Sequence, residues 1–192
     1  MSDWKMDGKP ALLLLHMQNS IIQRHKELLI KTGVISNQQK LLKAFRSKNL
    51  PVIFVNVTLN PPIAGKIPAY GDIWKRVTGT TNDPESIKVI PELTPEPGEP
   101  ILFNWPTGAF NNSGLDGALK MYGVQTVVLA GVSTNHVVTS AMQGAADRYY
   151  SVILPRDASS SVATPEAHEI FMDKIAPAVS LVTTTEDLIA HL

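Results

Sequence analysis

Val127–Ser140 reads VVLAGVSTNHVVTS, and its two halves follow different rules. Thr126 to Ala130 is a continuous apolar run, the pattern of a strand covered on both faces. Gly131 interrupts it, and Ser133, Thr134 and Asn135 then lead into a helical stretch running from Thr134 to Asp147. A buried strand that turns sharply into a helix places several backbone N–H groups together at the helix start, where they can hold an anion or a polarised carbonyl. The turn offers a cradle for negative charge but no evident nucleophile.

Working outward, the same alternation recurs along the chain. Ala11 to Leu15, ALLLL, reads as another buried strand and ends at His16, followed by Met17-Gln18-Asn19-Ser20. Leu41, Leu42 and Phe45 fall at helical spacing between Ile35 and Lys48, and Val52 to Val57 forms a second buried run. Ile101 to Phe103 delivers Asn104, Trp105 and, further on, Phe110; a helix over Leu115 to Tyr122 is stopped by Gly123. Tyr150 to Leu154 and Val179 to Val182 complete a set of six predicted strands. Thr164-Pro165-Glu166 is a helix start with Thr as cap and Pro in the first turn, and Thr185-Glu186-Asp187 opens a last short helix. Strands alternating with helices predict one domain over residues 1–192, an α/β/α three-layer, Rossmann-like fold around a mostly parallel six-stranded sheet. Ligands of such sheets bind beyond the carboxyl ends of the strands. His16, Asn104 and the Gly131 turn all fall at such ends.

Thr58 to Pro100 breaks the pattern, because eight of the fourteen prolines lie there. No single regular element can span it. With Tyr70, Ile73, Trp74 and Val77 it is expected to fold over the body of the protein, either as a lid or subunit contact or as a plain covering of one sheet edge.

The chain has 192 residues, 44% of them hydrophobic, with seventeen basic residues balanced by seventeen acidic ones. That balance gives no support to a nucleic-acid or anionic-membrane surface, and a small-molecule partner fits better. No apolar run approaches the length of a membrane span, so a soluble, cytoplasmic protein is expected. There are no cysteines, which excludes disulfides, thiolate metal sites and a cysteine nucleophile.

Four separated segments carry a family resemblance: ALLLLHMQNS, NWPTGAF, GVSTNHVV, and the Asp157-Ala158 turn followed by His168. Together they resemble the isochorismatase-like hydrolases, a superfamily that includes nicotinamidases and N-carbamoylsarcosine amidase. The resemblance implies that fold, a homo-oligomer and a catalytic set of Asp, Lys and Cys. In this sequence the matching positions are His16, Asn104 and Val137, so all three are replaced. Val137 has no heteroatom, and acyl-enzyme chemistry through that side chain is impossible. The resemblance also implies a cis peptide before Ser133 and an oxyanion hole built from the N–H groups of Ser133 and Val137, which needs no particular side chain. Some nicotinamidases hold a metal through histidines after the second strand; there is no histidine between His25 and His136 here, so neither a metal nor another cofactor is expected.

His16 is the pivotal substitution. An imidazole near its ordinary pKa of about 6.5 is a competent general base, and a base without a nucleophile can activate water. The alternative is a remnant that hydrogen-bonds Asn104 or a carbonyl. Asn104 would orient the imidazole or a substrate carbonyl. Ser133 is expected to contribute its amide, with nucleophilic use of its hydroxyl a lesser alternative. Thr134 and Asn135 read as helix caps, although Thr134 and His136 also lie where a substrate could be touched. Gln18 and Asn19 are candidate substrate contacts, and Trp74, Trp105 and Phe110 candidate apolar walls for a ring-shaped ligand, each of which could instead be plain core. Asp157 and His168 read as structural. These residues predict a hydrolase of a small amide, ester or enol-ether-like substrate, attacked by water with help from His16. The rival expectation is an inactive family member that binds a small ligand or serves as an oligomer subunit.

Overall fold

The computed structural model describes residues 4–58, 83–105 and 107–192. Strand β1 (Pro10–Leu15) is buried along its whole length. Around it run β2 (Val52–Val57), β3 (Ile101–Asn104), β4 (Thr126–Val132), β5 (Ser151–Pro155), β6 (Ser159–Ser160) and β7 (Leu181–Thr183). Their order is β3-β2-β1-β4-β5-β7, with β6 paired to β4, and the pairings are parallel. Parallel neighbours need crossover connections over the faces of the sheet, which is why the central strands are apolar on both sides.

Successive side chains of a strand point to opposite faces, and β1 divides accordingly. Ala11, Leu13 and Leu15 join a layer with Leu115 and Leu119 of α4 (Leu115–Met121) and with Ala141 and Met142 of α5 (Thr139–Ala146). Leu12 and Leu14 face the other layer, with Leu41 and Phe45 of α3 (Val34–Ser47) and Leu188 of α7 (Thr185–Ala190). Truncating one of these leucines to alanine costs about 2–5 kcal/mol, so the two layers anchor the strand whose end carries His16.

Gly131 sits opposite Leu15 in the β1–β4 register. A Cβ there would stand 2.2 Å from the Leu15 carbonyl oxygen, well inside nonbonded contact. The carboxyl end of β4 therefore lies against β1 only because residue 131 has no side chain.

The layered parallel sheet is the one expected, with local departures. A seventh strand, Ser159–Ser160, lies in what the sequence presents as a serine-rich loop; its two residues pair with Gly131 and Val132. The last strand is Leu181–Thr183 rather than Val179–Val182, because a 3₁₀ turn at Ala176–Ala178, containing Pro177, occupies the approach. The helix after β4 opens with a π-helical turn, Thr134–Val138, before becoming α5. Between β1 and α3 the chain folds as α1 (Asn19–Ile22), a 3₁₀ turn and α2 (Lys26–Lys31), with no side-chain cap that would have marked them in the sequence. The expected caps at the other end are present: Thr164 accepts from Ala167 N–H (3.1 Å) ahead of α6 (Pro165–Ile170). Thr184, one residue earlier than anticipated, accepts from Asp187 N–H (3.2 Å). Of the proline-rich segment, residues 83–100 pack onto the body, burying Val89, Ile90 and Leu93. Among the described residues no helix is long and apolar enough to cross a membrane.

Candidate active site

The backbone N–H of His16 donates to Val55 O (2.8 Å), one step beyond β1. The chain then turns, with His16 at φ 56°. The imidazole reaches over the end of β2 to β3, where its Nε2 lies 2.9 Å from Asn104 Oδ1. With the amide so placed, Nε2–H donates and Nδ1 keeps its lone pair. Asn104 is 0% exposed, and its Nδ2 has no hydrogen-bond partner among the described residues.

Burial pushes the His16 imidazole down to about 4; the Asn104 hydrogen bond opposes this shift, and nearby His136 adds to it. The ring is therefore neutral at neutral pH. It is available as a base but resists holding a charge.

The cradle is formed at the carboxyl end of β4. The Val132–Ser133 peptide is cis. Ser133 O accepts the N–H groups of His136 (3.1 Å) and Val138 (3.3 Å) and passes over that of Val137. First-turn N–H groups have no acceptor earlier in their own helix, so this end presents donors. Val137 is 0% exposed and packs in the layer of Leu15 and Ala141.

The Ser133 hydroxyl is engaged elsewhere. It donates to Asn135 Oδ1 and accepts Val162 N–H at 3.0 Å. Ser161 Oγ donates to the same Asn135 oxygen (3.0 Å) and accepts the N–H of Ala163 (3.1 Å). With its proton committed to Asn135, the Ser133 hydroxyl is not hydrogen-bonded for attack. The capping roles expected of Thr134 and Asn135 are not found. Asn135 bridges two serines, and Thr134 Oγ1 is buried with no partner among the described residues. This Ser133–Asn135–Ser161 clamp is what the sequence did not reveal; its only trace there is the run of serines at 159–161.

Of the other candidates, His136 lies half-buried on the π turn, close enough to influence His16. Trp105 follows Asn104 directly and is half-buried, its backbone bridged to Gly108. Gln18 spends its amide on the scaffold. Its Oε1 accepts Val57 N–H (2.6 Å), and its Nε2 donates to Val57 O (3.1 Å) and Ser20 Oγ (3.0 Å). Asn19 does likewise, donating Nδ2 to Glu85 O (2.9 Å) while its own N–H bonds Lys88 O (2.9 Å). The Gln18 amide fastens the end of β2 and that of Asn19 the 83–90 segment, rather than turning amide N–H groups to a ligand. Phe110 follows the core alternative rather than the pocket wall. Its ring stacks on Tyr150 with centroids 6.4 Å apart, under the Arg148 guanidinium at 4.7 Å, and lies against Gly144. That is the far end of α5 from the cradle, where an apolar face was available to cover. Trp74 lies outside the described residues.

Asp157 holds the start of α7, its Oδ1 accepting both the N–H and the hydroxyl of Thr185 at 2.8 Å. Among the described residues no group of three or more His, Asp or Glu is placed to hold a metal ion.

Comparison with known proteins agrees with this fold. The family model of the isochorismatase domain matches residues 10–187. The isochorismatase family protein YwoC of Bacillus subtilis is 28% identical, the alignment covering 96% of this chain and 94% of that protein. An isochorismatase family protein from Burkholderia thailandensis superposes with a TM-score of 0.85 at 27% identity, over 98% of this chain and 97% of that one. N-carbamoylsarcosine amidase from Thermoplasma acidophilum superposes with a TM-score of 0.75 at 26% identity, over 93% and 97% of the two chains.

Proposed function

Because the chain belongs to the isochorismatase family, we propose that it hydrolyses a small amide, ester or enol-ether-like substrate with water, rather than a cysteine, making the attack. The observation that carries this reading is the His16–Asn104 hydrogen bond, which holds a neutral imidazole with one lone pair at the end of a strand adjoining the N–H cradle. For an amide or ester, His16 Nδ1 takes a proton from water as the water oxygen adds to the carbonyl, and Asn104 keeps the ring in one tautomer and orientation. The N–H groups of Ser133 and Val137 hold the developing oxyanion, and the proton then passes to the leaving nitrogen or oxygen. A chain without cysteine, whose Ser133 hydroxyl is already committed, favours water over a covalent intermediate. Likeness to a protein named as an amidase supports an amide among the candidate bonds.

The test is a screen of small amides, esters and enol ethers with the wild type and His16→Ala. General-base assistance contributes about 10²–10⁴-fold, so turnover of a true substrate is expected to fall by at least about 100-fold in the variant. Full activity in His16→Ala removes His16 from the mechanism. A second reading, a family member that binds a small ligand without turning it over, is favoured by the complete burial of Val137 and the reluctance of His16 to hold a proton. Ligand-induced thermal stabilisation with no product would select it.

A further inference from the structure

Beyond the carboxyl end of β5 the chain encloses a cavity of about 350 Å³ between α2, the turn that follows β5, and α6. That volume falls within the range of small-molecule sites, about 300–1,000 Å³. None of His16, Asn104, Ser133 and Val137 lines it. Its polar lining carries an excess of negative charge. Arg156 is the cation there, and its Nη2 already donates to Glu169 Oε2 (2.6 Å) and to Asp173 Oδ1 (3.1 Å). Asp157 spends its Oδ1 on the N–H and hydroxyl of Thr185, while its Oδ2 has neither a hydrogen bond nor a cation partner among the described residues. One guanidinium thus stands against three carboxylates, an imbalance that a cation in the cavity relieves and an anion worsens.

A second, independent feature asks for a donor. His168 also lines the cavity, and its Nδ1 is buried with no partner among the described residues. Burial lowers the pKa of this ring, which is therefore neutral near pH 7, and the Arg156 carbonyl favours a ring proton. With Nδ1 unpartnered, that proton sits on Nε2 and Nδ1 presents a lone pair. Buried polar atoms are nearly always hydrogen-bonded, so an acceptor left without a donor beside a cavity calls for one from outside the chain. Leu28, Val34 and Pro165 supply an apolar wall that an inorganic ion would leave unused. Among the described residues no three His, Asp or Glu converge as metal ligands either.

We propose that this cavity is a second ligand site and that it takes a small organic ammonium ion, the charged head set against the Asp157 and Glu169 carboxylates with an N–H donated to His168 Nδ1, and the apolar body against Leu28, Val34 and Pro165. The site goes beyond the hydrolase reading and does not depend on it.

The experiment is a titration of full-length ¹⁵N-labelled protein with benzylammonium at pH 7, followed by amide chemical shifts. Saturable binding is expected, with a Kd of about 1 mM or tighter, and with the largest shifts at residues 28–34, 156–161 and 165–169, which surround the cavity. Benzyl alcohol, which keeps the apolar body without the charge, is expected to bind at least about tenfold more weakly. Asp157→Asn retains an oxygen for Thr185 while removing the charge, and should weaken benzylammonium by about tenfold. If that variant does not fold, Glu169→Gln on the exposed side of α6 decides, with an expected loss of about threefold. No saturable binding, equal affinity for benzyl alcohol or benzoate, shifts centred on His16 and Gly131 instead of the cavity, or affinity unchanged in the carboxylate variant overturns the proposal. None of these readouts involves turnover, so failure of the hydrolase reading leaves the proposal standing, and its own failure leaves that reading untouched.

Discussion

His16 Nε2 and Asn104 Oδ1 meet at 2.9 Å although β2 lies between the strands that deliver them. Burial pushes the pKa of the imidazole down to about 4 against the opposing effect of this hydrogen bond, and that has a consequence for stability. Above pH 6.5 the ring is neutral in both folded and unfolded chains and contributes nothing to pH dependence. As pH falls from 6.5 towards 4 the unfolded chain binds a proton that the folded one refuses, so stability is lost through that window, by about 3 kcal/mol at its lower end. Urea denaturation at pH 7 and pH 5 should show a smaller loss in His16→Asn, a residue that also tolerates the positive φ.

The same shift sets the rate profile of a water-activating His16. A base that must be unprotonated is already so at pH 6. The kcat/KM of any hydrolysed substrate is expected to be flat from pH 6 to pH 8 and to decline only as pH approaches about 4. An inflection near 6.5 would show that the ring is not held as described.

Gly131→Ala should be among the most damaging single changes. The new methyl would meet Leu15 O at 2.2 Å, and neither backbone can retreat without opening the β1–β4 register. A loss of roughly 3 kcal/mol or more is expected from such overpacking of backbone on backbone, measured as a lowered midpoint of thermal or urea unfolding.

Ser133→Ala separates the amide from the hydroxyl. It removes the donor to Asn135 and the acceptor for Val162 N–H, a cost of about 1–3 kcal/mol. Because the hydroxyl makes no attack, activity per folded molecule should remain within about tenfold of wild type. A fall like that of His16→Ala would restore the serine as a nucleophile.

Gln18→Leu tests the bracket at the end of β2. Val57 N–H loses its acceptor at 2.6 Å, and Val57 O loses a donor at 3.1 Å. A destabilisation of about 1–3 kcal/mol is expected, with faster amide exchange at Val57. Weakened ligand binding with unchanged stability would instead make Gln18 a ligand contact.

How far the sequence was readable follows from the range of each interaction. ALLLL and VVLA announce buried strands because burial on two faces requires unbroken apolar runs, and Thr164-Pro165 announces a helix because its cap bond spans only three residues. The pieces after Asn19 were not legible, since their helical turns carry no side-chain caps. Ser159–Ser160 could not be read as a strand, because its pairing with Gly131 and Val132 is entirely non-local. Whether the ring of Phe110 lines a pocket or packs as core could not be read for a similar reason: its position close after Asn104 in the chain says nothing of the face of α5 that it covers.

The sequence alone determined the alternation of buried strands and helices, the sharp strand-to-helix turn at Gly131, and the absence of any thiol nucleophile. Those properties are written in local composition. Only the tertiary structure decided that His16 bonds an asparagine 88 residues away and is held neutral. It likewise decided that the Ser133 hydroxyl is tied to Asn135 and Val162 while Asn104 Nδ2 has no partner among the described residues. Partners and desolvation depend on which strand ends the sheet order brings together, and parallel crossovers join residues that no local pattern relates.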